Sequence, residues 1–397
     1  MTTKSRGRDV FVAGVGMVPF TKPGGGFYEV MGPEAIRLAL ADAGIGFESV
    51  EQAYASYVYG NSCSGQRVVY GAGLTGIPIF NVNSNCSSGS SALFLARQAI
   101  ESGALDCALA VGFEQMNPGP LAEGYTDRAN PFDNFDAVAD DLIQIDLPPA
   151  VRYFGAAGLE HMQRYGTTFS DFAKVRAKAS RHAAKNPLSV FRNIMTEEDV
   201  LNAPMLWPGV MTKPMACPPT CGAAAAILVS AEFAKRHNLD TSVRIAGQSM
   251  TTDTPATFES RDMIHLVGYE LSKRAADNVY EQSGVDPKDL KVVELHDCFV
   301  QNEVLTYEAL GLCEEGGAQK FIADGDNTFG GRVVTNPSGG LLSKGHPLGA
   351  TGLAQCFELT QQLRGRAGER QVENLQHALQ HNLGLGGAIV VTLYERT

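Results

Sequence analysis

No apolar run in this chain approaches the ~18 residues needed to cross a bilayer. Basic residues are outnumbered, 32 against 43 acidic ones, for a net charge of -11. That excludes a general nucleic-acid or anionic-membrane binder, which needs a basic face. The eight cysteines (63, 86, 107, 217, 221, 298, 313 and 356) form no paired C-x-x-C pattern. Cys217 and Cys221 come closest, with no second pair or nearby histidine, so no metal site is expected. Their scatter through apolar segments suits a reducing compartment. Lys4, Arg6 and Arg8 ahead of Val10–Met17 imitate the head of a signal peptide. The apolar part is short and broken by Gly14 and Gly16, so a first strand is expected instead. The last residues, Tyr394-Glu395-Arg396-Thr397, are not a Ser-Lys-Leu address. A cytoplasmic, bacterial-type location is the expectation.

What is present is a soluble composition, 44% hydrophobic and 19% charged, with 43 glycines. At 397 residues, two or three domains of about 100–200 residues are expected. Strands are expected over 9–17, 77–80, 107–111, 222–229, 243–246, 292–295, 377–380 and 388–392. Helices are expected over 33–43, 92–100, 231–237, 269–283 and 352–364. The alternation predicts an α/β sheet covered by helices. Residues 117–150 break it with prolines (118, 120, 131, 148 and 149) and with Asp133, Asp136, Asp140, Asp141 and Asp146. Helical segments near 152–165, 170–185 and 196–202 follow. The stretch 118–215 therefore reads as an inserted loop domain over the active site. Strand, active loop, helix, strand occurs once around Cys86 and again around 336–352, a weak internal echo.

The central stretch is Asn81-Val82-Asn83-Ser84-Asn85-Cys86-Ser87-Ser88-Gly89-Ser90-Ser91. It places Cys86 where a strand turns into a helix, among small residues that allow close approach. Leu93, Ala96 and Ile100 share one face of that helix. Free N–H groups and the helix dipole there favour thiolate over thiol, so Cys86 is a candidate nucleophile. The plainer alternative is a buried structural cysteine.

Three further segments place polar residues at strand ends, where α/β sheets bind ligands. They are Glu294-Leu295-His296-Asp297-Cys298-Phe299, Lys344-Gly345-His346-Pro347-Leu348-Gly349-Ala350-Thr351-Gly352 and His381-Asn382-Leu383-Gly384-Leu385-Gly386-Gly387. His346, between glycines before a helix, can activate a cysteine and stabilise an oxyanion. Cys298, two residues from His296, can shuttle protons. The 384–387 loop can offer a backbone N–H to an oxyanion. Capping, core packing and a tight turn are the plainer readings of the three.

Together, Asn83-x-x-Cys86-x-x-Gly89, His296-Asp297-Cys298-Phe299, Gly345-His346-Pro347-x-Gly349-Ala350-x-Gly352 and Gly384-x-Gly386-Gly387 resemble the thiolase superfamily. The His-Asp-Cys-Phe form resembles its sterol-carrier-protein type, and a stand-alone thiolase with no lipid-transfer domain is the expectation. The likeness runs from Val10 to Tyr394. It implies a five-layered α-β-α-β-α fold of two similar halves. The N-terminal half would be 1–117 with 216–268, the inserted loop domain 118–215, and the C-terminal half 269–397. It also implies that Cys86 takes the acyl group, that His346 activates it, and that His296 helps form the first oxyanion hole. Asn382 stands where most thiolases carry a catalytic cysteine, so the acid/base role passes to Cys298. The N–H groups of Cys86 and Gly384 would form the second oxyanion hole. Residues 216–221 should lie near the CoA pantetheine. Cys221 stands where thiolases usually have aspartate, a departure expected to be structural.

The reaction so implied is CoA-dependent cleavage of a 3-ketoacyl-CoA to acetyl-CoA, or to propionyl-CoA from a 2-methyl substrate. CoA is a substrate and no cofactor is expected. At least a homodimer, or a homotetramer, is expected. A β-ketoacyl synthase could use Cys86, His296 and His346 but has no need of Cys298. A thiolase-like aldolase would dispense with Cys86. A non-catalytic lipid carrier would not need these reactive positions.

Overall fold

The computed structural model describes residues 7–119, 121, 125 and 127–397. Lys4, Arg6 and Pro120, singled out above, lie outside the described residues. Ten strands form one sheet: β1 (Val10–Met17), β2 (Gln52–Ser56), β3 (Ile79–Val82), β4 (Cys107–Glu114), β5 (Gly222–Ser230), β6 (Val243–Thr251), β7 (Val292–Glu294), β8 (Val334–Thr335), β9 (His377–Gly384) and β10 (Ala388–Arg396). Their order is β8-β7-β9-β10-β6-β1-β5-β4-β2-β3.

That order is one pattern written twice. β2 pairs in parallel with β3 and β4, and β5 lies antiparallel between β4 and β1. β7 likewise pairs in parallel with β8 and β9, and β10 lies antiparallel between β9 and β6. The two sets meet at a single register pair, Phe11 with Arg244. β6, inside the segment 216–268 assigned above to the N-terminal half, pairs with β10 over eight positions and completes the second set.

Helices complete the layers: α1 (Tyr28–Ala43), α2 (Ser88–Glu101), α3 (Pro149–Tyr165), α4 (Phe169–Ala184), α5 (Tyr269–Ser283), α6 (Val300–Ala309) and α7 (Thr351–Leu363). α1 covers β1 and β5 from outside, and α5 covers β6 and β10. Between the two strand sets lie α2 and α7, packed on each other and on strands of both. This is the α-β-α-β-α arrangement. Leu93, Ala96 and Ile100 of α2 are fully buried, as their spacing predicts. Removing an apolar side chain of that size from water is worth roughly 1.5–3 kcal/mol.

Glycine lets the central helices touch at their N-termini. A Cβ on Gly352 would lie 2.3 Å from the N of Ser90, and one on Gly89 would lie 2.9 Å from the carbonyl oxygen of Gly349. Neither position has room for a side chain, so the two strand-to-helix corners close on one another.

Two local expectations are corrected, and one helix had no expectation. α1 begins at Tyr28, and Pro33 stands within it, where its missing N–H forgoes one helical bond. The strands at 243 and 377 run on to Thr251 and Gly384 because both are paired along their length. α6, fully buried around its circumference, shows none of the amphipathic spacing that would have marked it.

Within the inserted stretch, α3 starts with Pro149 in its first turn. α4 starts with a Thr168–Asp171 capping box. Both pack on α6. Buried Lys178 of α4 bonds Thr335 at 2.6 Å and pairs with Glu303 of α6, fixing this layer to the C-terminal strand set. Among the described residues no helix is long and apolar enough to cross a membrane.

Candidate active site

Cys86 occupies the corner between β3 and α2, two residues before the helix begins. Asn85 turns the chain with φ 52° and donates through Nδ2 to the carbonyl of Leu385 at 3.0 Å. The serines close the corner: the Ser84 N–H donates to Ser88 Oγ at 2.8 Å, and Ser87 Oγ to the Ser84 carbonyl at 2.9 Å. The opposite corner, between β8 and α7, carries His346. Its backbone N–H donates to Thr220 Oγ1 at 2.6 Å.

The Cys86 sulfur and ring nitrogens of His296 and His346 all lie within 4.8 Å of one another. The two imidazoles meet edge to face, with centroids 5.1 Å apart. Both Nε2 atoms are buried without a hydrogen-bond partner among the described residues. Their neighbours assign them opposite roles. Thr351 Oγ1 donates to the Pro347 carbonyl at 3.0 Å, so at 2.7 Å it accepts from His346 Nδ1. His346 Nε2 is then a free lone pair, able to take a proton.

The His296 tautomer is set from further away. Tyr394 OH donates to Gln380 Oε1, and Gln380 Nε2 donates to Ser90 Oγ at 2.8 Å. Ser90 in turn donates to Asn382 Oδ1 at 2.8 Å. Asn382 must therefore point its amide N–H groups at the Cys86 carbonyl (3.2 Å) and at His296 Nδ1 (3.0 Å). His296 Nδ1 accepts, so its Nε2 carries the proton and aims a donor into the site. Cys and two His are donor types for a borderline metal. In this tautomer His296 presents an N–H, and the trio has two ligand lone pairs rather than three.

Burial, followed by the Glu114 carboxylate, pushes the Cys86 thiol up to about 12. This reverses the expected thiolate: low dielectric outweighs the helix terminus. His346 is pushed down to about 3 by burial and then by Lys344. His296 also falls well below its usual range, by burial and then by the neighbouring histidines. The resting pair is neutral thiol beside neutral imidazole. The N–H groups leaning on the sulfur are those of Cys86 and Leu385. Gly384, named from the sequence, ends β9 beside this turn. A Cβ there would lie 2.1 Å from the Ser84 carbonyl oxygen, which explains the glycine.

Cys298 is buried nearby. Burial raises its thiol well above the usual range, and Cys217, Cys86 and Asp297 add to this. Asp297 accepts from the Leu341 N–H at 2.7 Å and clamps the π-helical turn Gly340–Lys344 that leads to His346. Glu114 accepts from Val58 (3.0 Å), Tyr59 (2.9 Å) and Gly349 (3.0 Å), tying the His346 loop to β4. Cys221 is buried at the head of β5, where its sulfur leans on the Met116 carbonyl at 3.6 Å. The structure thus gathers Cys86, Cys298, His296, His346 and Asn382 in one place. Sequence reasoning missed the roles of Thr220, Thr351, Glu114 and Cys217. Of these Thr351 (in the Gly345–Gly352 motif) and Thr220 and Cys217 (both in the segment 216–221) lay in stretches already marked, and Glu114 did not.

Residues 10–232 match the family model for the thiolase N-terminal domain, and residues 251–393 match the thiolase C-terminal domain-like model. The Bos taurus protein named sterol carrier protein 2 is 52% identical over 391 residues, covering 97% of this chain and 72% of that protein. Among solved structures, an Ltp2-ChsH2(DUF35) aldolase superposes with a TM-score of 0.82 at 21% identity, over 98% of both chains. Human mitochondrial 3-ketoacyl-CoA thiolase in complex with CoA superposes with a TM-score of 0.74 at 19% identity, again over 98% of both. The two structures share the fold. The two family models and the 52% identity place the chain in the thiolase family of acyltransferases.

Proposed function

We propose that this protein cleaves 3-ketoacyl-CoA with free CoA, through an acyl group carried on Cys86. The observation that carries the reading is the opposed pair of tautomers, a lone pair on His346 Nε2 and an N–H on His296 Nε2, on two rings that cluster with the Cys86 sulfur. Cys86 attacks the 3-keto carbon as its proton passes to His346 Nε2. Because the thiol is neutral at rest, proton loss and attack are coupled to substrate binding. The 3-keto oxygen is received by backbone N–H groups at Cys86 and the 384–385 turn. The C2–C3 bond then breaks. The leaving enolate oxygen accepts from His296 Nε2–H and from protonated His346, while Cys298 supplies the proton to C2. CoA loses its thiol proton to Cys298 and takes the acyl group from Cys86, whose released thiolate recovers its proton from His346. Acetyl-CoA, or propionyl-CoA from a 2-methyl substrate, is the other product.

The reading includes CoA and 3-ketoacyl-CoA as ligands, no resident cofactor, a homodimer or homotetramer, and a cytoplasmic location. A β-ketoacyl synthase would use the same Cys-His-His trio without Cys298. An aldolase, the activity named for one structural neighbour, would leave Cys86 idle.

The test is CoA-dependent loss of the enolate absorbance of 3-ketooctanoyl-CoA. The wild type should turn over. Cys86→Ala should abolish turnover, and Cys298→Ala should lower it by about 10²–10⁴, the usual worth of an acid/base group. Full activity in Cys86→Ala would sink the reading. An unchanged rate in Cys298→Ala would keep the thiolase and remove Cys298 from it.

A further inference from the structure

One sulfur neighbour of Cys298 has no part in the proposed thiolysis. Ala216 and Phe299 form an antiparallel bridge, and the N–H of Cys217 donates to the carbonyl of Cys298 at 2.8 Å. Antiparallel partners keep a constant index sum, so Cys217 stands directly opposite Cys298. Side chains at such a pair project to the same side of the ribbon. Residues that face one another across antiparallel backbone have Cα atoms about 4.5–5.5 Å apart, inside the span of about 4.4–6.8 Å that a disulfide bridges. The sulfurs also feel one another: after burial, Cys217 is the next cause that raises the Cys298 thiol. Cys298 is buried, whereas Cys217 is partly exposed and opens the pair to small reagents.

We propose that Cys217 and Cys298 are a modification site, a facing dithiol that a hydroperoxide converts to a disulfide. One cysteine sulfur attacks the peroxide, breaking its O–O bond, and becomes a sulfenic acid with release of water. The partner sulfur then attacks that sulfur, forming the S–S bond and expelling a second water. Two thiols lose two electrons and two protons, and one hydrogen peroxide becomes two waters. Burial keeps both groups protonated, so the first step is slow at neutral pH and quickens with alkalinity. The facing arrangement of the two residues decides the product once that step has occurred. The bond removes the thiol proton of Cys298, and with it the acid/base of the proposed thiolysis. That consequence rests on the function proposed above; the bond itself does not.

The test treats the intact protein with graded hydrogen peroxide at mildly alkaline pH. Free thiols are then blocked and peptides mapped by mass, in wild type, Cys217→Ala and Cys217→Ser. Wild type should yield a linked peptide pair containing Cys217 and Cys298, lighter by two hydrogens and separated by dithiothreitol. Turnover of the linked fraction should fall about 100-fold, the scale of losing an acid/base group, and return with the reductant. Both variants, each compared with its own untreated rate, should show no linked pair and no loss of this kind that reductant reverses. Linkage of Cys86 to Cys298, over-oxidation of single cysteines without a link, or no oxidation at all would each overturn the proposal. A linked pair without any change in rate would uphold the site and count against Cys298 as the acid/base.

Discussion

The two strand-to-helix corners, one before α2 and one before α7, hold equivalent places in a repeated frame and do opposite chemistry. The first presents Cys86 and is tied mostly within itself, by serine bonds and the Asn83 side chain, with Asn85 alone reaching out, to the Leu385 carbonyl. The second presents His346 and is clamped from outside, by Thr220, Asp297 and Glu114. A nucleophile needs a sharp corner and little else. A base needs its ring turned to one tautomer, which requires neighbours. Duplication supplies two corners that meet, and the local sequence of each then decides whether it gives or takes the proton.

Asn382 is the sharpest way to break this division, because it touches both sides through the Cys86 carbonyl and His296 Nδ1. Asn382→Leu keeps the volume and loses the donor that fixes the His296 tautomer. Steady-state kinetics should show kcat down about 10–100-fold, roughly 1.5–3 kcal/mol of hydrogen bonding, with KM little changed. A fall confined to KM would mean that Asn382 only shapes the pocket.

The close approach of the corners is testable by stability. Gly352→Ala puts a Cβ 2.3 Å from backbone N of Ser90, whereas Gly89→Ala meets its nearest backbone atom at 2.9 Å. Denaturant titration should find Gly352→Ala destabilised by about 1–3 kcal/mol, the cost of overpacking, and Gly89→Ala by less. Equal losses would show that the contact is symmetric after all.

The smallest expected effect concerns the charge between the corners. Burial raises Glu114 to about 7, so it is neutral below that pH and anionic above it, where it opposes the Cys86 thiolate. Alkylation of Cys86 should stay slow through neutral pH and climb only in strong alkali. Glu114→Gln should match wild type below about pH 7 and react faster above it. Identical profiles would remove Glu114 from the electrostatics of the sulfur.

Much of this was legible beforehand, for reasons specific to each segment. The apolar strand runs, the Leu93–Ala96–Ile100 face and the glycine-histidine loop carry local signals that survive folding. α6 carried none because it is buried all round, and the end of β6 carried little because its tail, Gln248-Ser249-Met250-Thr251, is polar yet fully paired. The charge state of Cys86 was misjudged because the helix terminus is local and visible, whereas burial and Glu114 come from the fold.

Sequence alone determined which residues could react: one cysteine at a corner, two histidines, a second cysteine and an asparagine in place of a third. It did so because corner chemistry depends on a few adjacent residues. Tertiary structure decided what state each of them is in. Tautomers are set by the Tyr394–Gln380–Ser90–Asn382 relay and by Thr351, and the thiol is held neutral by burial. The opposition of Cys217 to Cys298 follows from the bridge between Ala216 and Phe299. These depend on groups far apart along the chain, whose energies exist only once water has been removed from between them.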